Sequence, residues 1–197
     1  MFAWTYNDLK TYSTCIIQHV IPIKEGTKLF QQKLRKILPM LEPLIQKELG
    51  KLLDAQIIFK VRHSTWVYNL VPVNSDEICL CVDFHNLKQA SNKDNYPVSS
   101  MEWILQIVSR SEMFSLLDVF SRYNQVLVGE LDYIKINFKT KWETFAFKCM
   151  PFKLINVATT FYRAMDIMFC GLIGQIILVY LDDVTIFSKK ISDNVHL

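Results

Sequence analysis

The stretch Ile176-Ile177-Leu178-Val179-Tyr180-Leu181-Asp182-Asp183-Val184-Thr185-Ile186-Phe187 decides how this chain is read. Six strand-forming residues lead into two adjacent aspartates, and four more follow. β-Branched and aromatic side chains favour strands, whereas a buried carboxylate is costly unless paired or metal-bound, and two side by side repel. A tight β-hairpin with the acids at its tip meets both demands. Carboxylate oxygens there suit a hard divalent cation such as magnesium.

Working outward, Phe114-Ser115-Leu116-Leu117-Asp118-Val119-Phe120 is a second apolar strand with one acid. Three acids on two hydrophobic elements can converge on a pair of metal ions, the arrangement used for in-line phosphoryl transfer. Around this nucleus the residues take a specific order. Leu117-Asp118 is followed by Ser121, Tyr123 and Gln125; Met150-Pro151-Phe152 is followed by Leu154, Asn156, Ala158, Thr160 and Phe161; Val71-Pro72-Val73 and Leu80-Cys81-Val82-Asp83-Phe84 lie upstream. Together with Tyr180-Leu181-Asp182-Asp183 these resemble the ordered motifs of reverse transcriptases, closest to those of gypsy-type long-terminal-repeat retrotransposons. The resemblance covers nearly the whole chain.

That resemblance implies an α+β right-hand polymerase, with fingers at about 31–93 and 126–150 and palm at about 94–125 and 151–197. Residues 1–30 are then the tail of a linker within a polyprotein. The rest of the palm, the thumb and the ribonuclease H domain are expected beyond residue 197. It implies RNA-directed DNA synthesis on an RNA or DNA template with a primer, using deoxynucleoside triphosphates. Two Mg2+ ions are expected (Mn2+ being an alternative), one lowering the pKa of the primer 3′-hydroxyl and the other holding the triphosphate. Asp118 and Asp182 are the implied direct ligands, with Asp183 accessory and Val119 completing the metal set. Tyr123 is implied to exclude a ribose 2′-hydroxyl, Phe152 to line the sugar pocket, and Gln125 with Asn124 to support the motif turn. Asp83, although in an apolar strand, reads as structural.

Bulk properties agree with an intracellular, cytoplasmic globular protein. Hydrophobic residues make up 51% and charged residues 21% of the 197, a folded rather than disordered composition. Five cysteines without metal spacing read as reduced thiols. The apolar stretch from Met165 to Leu181 is broken by Asp166, Gly171, Gly174 and Gln175, and falls short of the ~20 residues of a membrane span. Net charge is only +3, yet residues 24–62 carry nine lysines and arginines against four acids. A basic front with an acidic centre suits phosphate binding beside metal binding.

Local patterns fill in the elements. Leu41, Leu44, Ile45, Leu49, Leu52 and Leu53 recur at helical spacing after Pro39 or Pro43. Ile57–Val61 and Cys79–Phe84 read as strands, with a loop around Asn74, Ser75 and Asp76. Ser99 and Glu102 form a capping-box pattern ahead of a second helix. Strands are expected around Gln125–Val128 and Ile134–Phe138. A third helix carries Phe161, Ala164, Met165, Met168 and Phe169 and ends at Gly171 or Gly174. Leu117, Val119, Phe161, Met165, Val179 and Phe187 should form the palm core.

The departures from the family pattern bear on activity. The loop Asn74-Ser75-Asp76-Glu77 is short and acidic where family members are basic, Cys79 matches an arginine that grips the triphosphate, and His85 also stands for an arginine. Arg122, Glu143 and Lys153 occupy positions usually held by glycine, where a side chain brings clash or strain. The activity of this chain is therefore expected to be impaired. The alternative from another class is a non-catalytic relic that at most binds nucleic acid through residues 24–62. An RNA-directed RNA polymerase shares the palm logic, but its hairpin more often reads Gly-Asp-Asp, and Tyr123 argues against it.

Overall fold

The structure, a computed structural model, describes residues 5–74, 78–118, 122–180 and 183–188. Val119, Asp182 and the loop acids Asp76 and Glu77 lie outside the described residues, as do the side chains of Cys79, Asp118 and Arg122. The chain divides into two compact units, one formed by Met1–Lys93 with Tyr123–Val157, the other by Asp94–Arg122 with Ala158–Leu197.

The first unit is built on a five-stranded sheet. Its strands are β1 (Ile58–Lys60), β2 (Val67–Asn74), β3 (Ile78–Val82), β5 (Asn137–Lys139) and β6 (Thr144–Phe147), in the order β1-β6-β5-β2-β3. β2 pairs with β5 in parallel through residues 67–69 and with β3 antiparallel through residues 70–74. Pro72 thus lies where the strand leans on one named neighbour, a position that tolerates a missing N–H. Tyr68, Phe84, Phe138 and Phe147 form a chain of aromatic contacts with centroids 5.2–6.4 Å apart. Helix α1 (Glu42–Asp54) starts at Pro43 and buries Ile45, Leu49 and Leu52, the apolar stripe read from the sequence. Helix α2 (His85–Ala90) buries Leu87.

Residues 12–35 carry almost no regular structure, but they are strapped to this unit. The Tyr12 N–H donates to the Gln125 carbonyl at 2.8 Å, His19 N–H to Leu127 at 2.8 Å, Lys24 N–H to Ala90 at 2.9 Å and Gln32 N–H to Val67 at 2.9 Å. Ile17, His19 and Ile21 are buried by this strap. Asp132, itself buried, accepts the Ile21 N–H at 2.8 Å, and Lys135 donates to both Asp132 and the Ile21 carbonyl.

That clasp accounts for a difference from the sequence reading. The segment expected as a strand from Ile134 begins as a 3₁₀ helix, Glu130–Lys135, which brings Asp132 and Lys135 onto one side. Only Asn137–Lys139 is strand. The expected strand at Gln125–Val128 is a 3₁₀ turn, Arg122–Gln125, followed by single bridges at Leu127 and Val128.

The second unit has a three-stranded antiparallel sheet ordered β4-β8-β7, from β4 (Met113–Asp118), β7 (Ile177–Tyr180) and β8 (Asp183–Ser188). Helix α3 (Met101–Val108) is capped by Ser100, whose hydroxyl accepts the Trp103 N–H at 3.3 Å, not by Ser99. Ile104 packs with Leu178 and Phe187 in a core flanked by Ile107, Val108 and Tyr180. Helix α4 (Val157–Met168) buries Phe161 and Met165. Val179 and Phe187 are buried too, but Leu117 is 36% exposed, a correction to the expected core. β4 is an edge strand, and Phe114 and Leu116 on it are more exposed still, at 53% and 68%.

Candidate active site

The acid-bearing hairpin forms as the sequence demands. Tyr180 pairs with Asp183 across β7 and β8, so two residues, Leu181 and Asp182, separate the closing pair. β8 also pairs with β4 in a register that places Asp118 directly opposite Asp183. The second unit therefore brings the Asp118 and Asp183 positions together at the same end of one sheet. Asp183 is exposed, while its neighbour Val184 is buried, the alternation of a strand with one covered face. The Asp183 carboxylate, at a strand end with solvent access, is the donor chemistry that a hard divalent cation needs.

The other expected site residues fall in the first unit. Hydrogen bonds from Val128 N–H to Lys148 and from Met150 N–H to Val126, 3.0 and 2.8 Å long, lay the segments 126–128 and 148–150 side by side. Just beyond this pairing Tyr123 and Phe152 meet as a stacked pair, with centroids 6.0 Å and planes 23° apart. Phe152 is 59% exposed, so the stack is a surface feature rather than a core contact. Gln125 is half-buried and receives the Tyr12 N–H on its carbonyl, which anchors the turn carrying Tyr123.

Lys153, next to Phe152 in the chain, lines a cavity of about 360 Å3 together with Arg35, Asp83, His85 and Lys88. Asp83 is engaged within the protein: its Oδ2 lies 3.6 Å from Arg35, and its Oδ1 accepts the His85 N–H at 3.3 Å. Lys153 takes φ of +73°, a conformation that costs a non-glycine residue ~1–2 kcal/mol. The strain anticipated at glycine-type positions is thus present at Lys153. It is absent at Glu143, which closes a turn through Thr140 and lies 3.5 Å from Lys60. Sequence reasoning did not gather these cations, because Arg35, Lys88 and Lys153 are far apart along the chain and no spacing rule links them.

Two smaller expectations concern the cysteines and the membrane. Cys15, Cys81, Cys149 and Cys170 are free thiols, and burial pushes the Cys149 thiol up to about 11. No helix among the described residues is long and apolar enough to cross a membrane.

With this geometry in view, comparison with known proteins is specific. The family model described as reverse transcriptase (RNA-dependent DNA polymerase) matches residues 77–197. The chain belongs to the reverse transcriptase family. It is 37% identical over 117 residues to the Retrovirus-related Pol polyprotein from transposon gypsy of Drosophila melanogaster, an alignment covering 59% of this chain and 11% of that polyprotein. It is 30% identical over 122 residues to an RNA-directed DNA polymerase homolog of Oenothera berteroana, covering 60% of this chain and 86% of that protein. The α+β fold has solved counterparts. A foamy viral protease-reverse transcriptase in complex with RNA/DNA hybrid superposes with a TM-score of 0.78 at 16% identity, over 97% of this chain and 26% of that one. The same enzyme with double-stranded DNA gives 0.75 at 14% identity, over 91% and 31%. The chain thus spans about a tenth of the gypsy polyprotein and under a third of the solved enzymes.

Proposed function

We propose that this reverse transcriptase chain is the fingers and palm of an RNA-directed DNA polymerase, that its carboxylates hold two divalent ions, and that its nucleotide site is impaired. The observation that carries the reading is the sheet register: Asp118 lies across from Asp183 beside the hairpin that contains Asp182. In this reading the fingers are residues of about 31–93 and 126–150, which fall in the first unit, and the palm is about 94–125 and 151–197, which takes in the second unit. Asp118, Asp182 and Asp183, with Val119, form the metal set. Magnesium or manganese bound there supplies charge stabilisation at the attacking and leaving oxygens.

The chain's own groups set the rest. The carboxylates orient the ions and neutralise their charge. In this reading Tyr123, stacked on Phe152, closes the space that a ribose 2′-hydroxyl would need, and the exposed Phe152 ring packs against the sugar. Likewise Arg35, Lys88 and Lys153, which line one cavity, offer positive charge in this reading to the phosphates of a template strand.

The impairment follows from the phosphate contacts. Cys79 and His85 replace two arginines of the family pattern, and each lost charge-assisted bond costs ~1.5–3 kcal/mol. Two such losses weaken triphosphate binding by roughly two to four powers of ten. The acids are all present, so metal binding suffers less. The test is primer extension by purified protein with Mg2+ or Mn2+, an RNA template and deoxynucleoside triphosphates at rising concentration. The expected result is slow extension without saturation at ordinary triphosphate levels. Rapid, saturable extension refutes the impairment. Extension that persists in Asp182→Asn refutes the site.

A further inference from the structure

The second unit carries a cavity that the polymerase reading does not use. It is about 550 Å3 in volume and lies between α3 and the β7–β8 side of the sheet, within the range of small-ligand sites. Trp103, Gln106, Ile107 and Arg110 line one wall. Trp103, Gln106 and Ile107, spaced by three and four residues, lie on one stripe of α3, and Arg110 follows in the turn after the helix. Phe187, only 2% exposed, and Gln175 lie opposite. Gly174 takes φ of +82°, and a Cβ there would lie in van der Waals contact with the Trp103 ring at 3.4 Å, so the indole edge packs close to this backbone. Trp103 nonetheless remains 39% exposed.

The functional groups are complementary to a nucleotide. An accessible indole face is a stacking platform for a base. The carboxamides of Gln106 and Gln175 each present a donor and an acceptor, as base edges require. Arg110 makes no ion pair among the described residues, and a guanidinium stays charged and forks onto phosphate. Trp103 and Arg110 line the same cavity, the indole from α3 and the guanidinium from the turn after it. A purely apolar peptide would leave the guanidinium and both carboxamides unmatched.

We infer that this cavity binds a nucleotide, free or within a single strand, with its base on Trp103 and its phosphate on Arg110. The site uses neither the acids of the hairpin nor any metal. The test titrates the 197-residue chain with AMP in the presence of EDTA, so that metal-dependent binding is silent, and follows the Trp103 indole N–H by NMR. A saturable shift is expected. Trp103→Ala should weaken binding by about five- to a hundredfold, the effect of one lost base stack. Trp103→Phe keeps a ring and should retain part of the affinity. Arg110→Glu, an exposed change that leaves the indole in place, should abolish the shift. Penta-deoxyadenylate binding at least tenfold more tightly than AMP would mark the ligand as a strand; equal affinity would mark it as the free nucleotide, and either supports the site. The proposal is overturned if neither probe moves the Trp103 resonance, if adenosine binds as well as AMP, if Arg110→Glu binds undiminished, or if an acidic aromatic peptide binds where AMP does not.

Discussion

His19 offers a quantitative test of how the strap is held. It is 1% exposed, its N–H donates to Leu127 and its carbonyl accepts from Gly129. Burial pulls its imidazole down from the ordinary 6.5 to about 4, with Asp132 opposing that shift weakly. The folded chain therefore stays neutral at this site where the unfolded chain takes up a proton. Stability is complete above about pH 6.5 and is lost as pH falls toward 4. Lowering the pH from 8 to 5 removes about 2 kcal/mol through this group, and about 3 kcal/mol is gone below pH 4. Urea denaturation followed by the fluorescence of buried Trp66 measures this directly. Wild-type protein should lose about 2 kcal/mol more than His19→Gln between the two pH values. Equal losses in the two proteins refute the claim that His19 is held neutral by the strap.

Three further outcomes follow from other residues. The buried Tyr68 hydroxyl has no hydrogen-bond partner among the described residues, so Tyr68→Phe should raise stability by ~1 kcal/mol in the same urea assay. The exposed apolar edge strand β4, with Leu116 at 68% exposure, should drive self-association; light scattering should show it in the wild type and a marked decrease in Leu116→Glu with an unchanged urea midpoint, whereas a monodisperse wild type contradicts it. Cys79→Arg combined with Lys153→Gly should lower the triphosphate concentration needed for extension by at least tenfold, while Asp83→Asn should not, because Asp83 is already engaged with Arg35 and the His85 N–H.

Much of the second unit was legible because its signals are local. The apolar flanks of Asp182 and Asp183 could hardly be anything but a hairpin, and Phe161 and Met165 lie on one helical face. The misreadings have long-range causes. The 3₁₀ helix at Glu130–Lys135 exists because Asp132 and Lys135 clasp Ile21, more than a hundred residues earlier in the chain. β2, β6 and α2 went unread: Thr144–Phe147 and His85–Ala90 are too short for a period to show, and β2, which includes Asn74 of the expected loop, is buried without alternation over residues 67–70. Leu117 was placed in the core as an apolar residue at a core position of the family pattern, and nothing in its local pattern says that β4 is an edge. The cavities of both units join residues distant in sequence, so only the fold could assemble them. Glu143 shows the converse: a glycine-type position read from a motif does not guarantee the backbone conformation that would make its side chain costly.

The central claim is that Asp118, Asp182 and Asp183 form one divalent-metal site. Mn2+ titration watched by amide NMR tests it most directly, because the ion broadens only nearby resonances. The account predicts that the amides of Asp118 and Asp183 broaden together at the lowest Mn2+ concentrations, that Mg2+ competes, and that Asp182→Asn with Asp118→Asn abolishes the effect. Broadening that spares both amides, or that survives the double substitution, would contradict it.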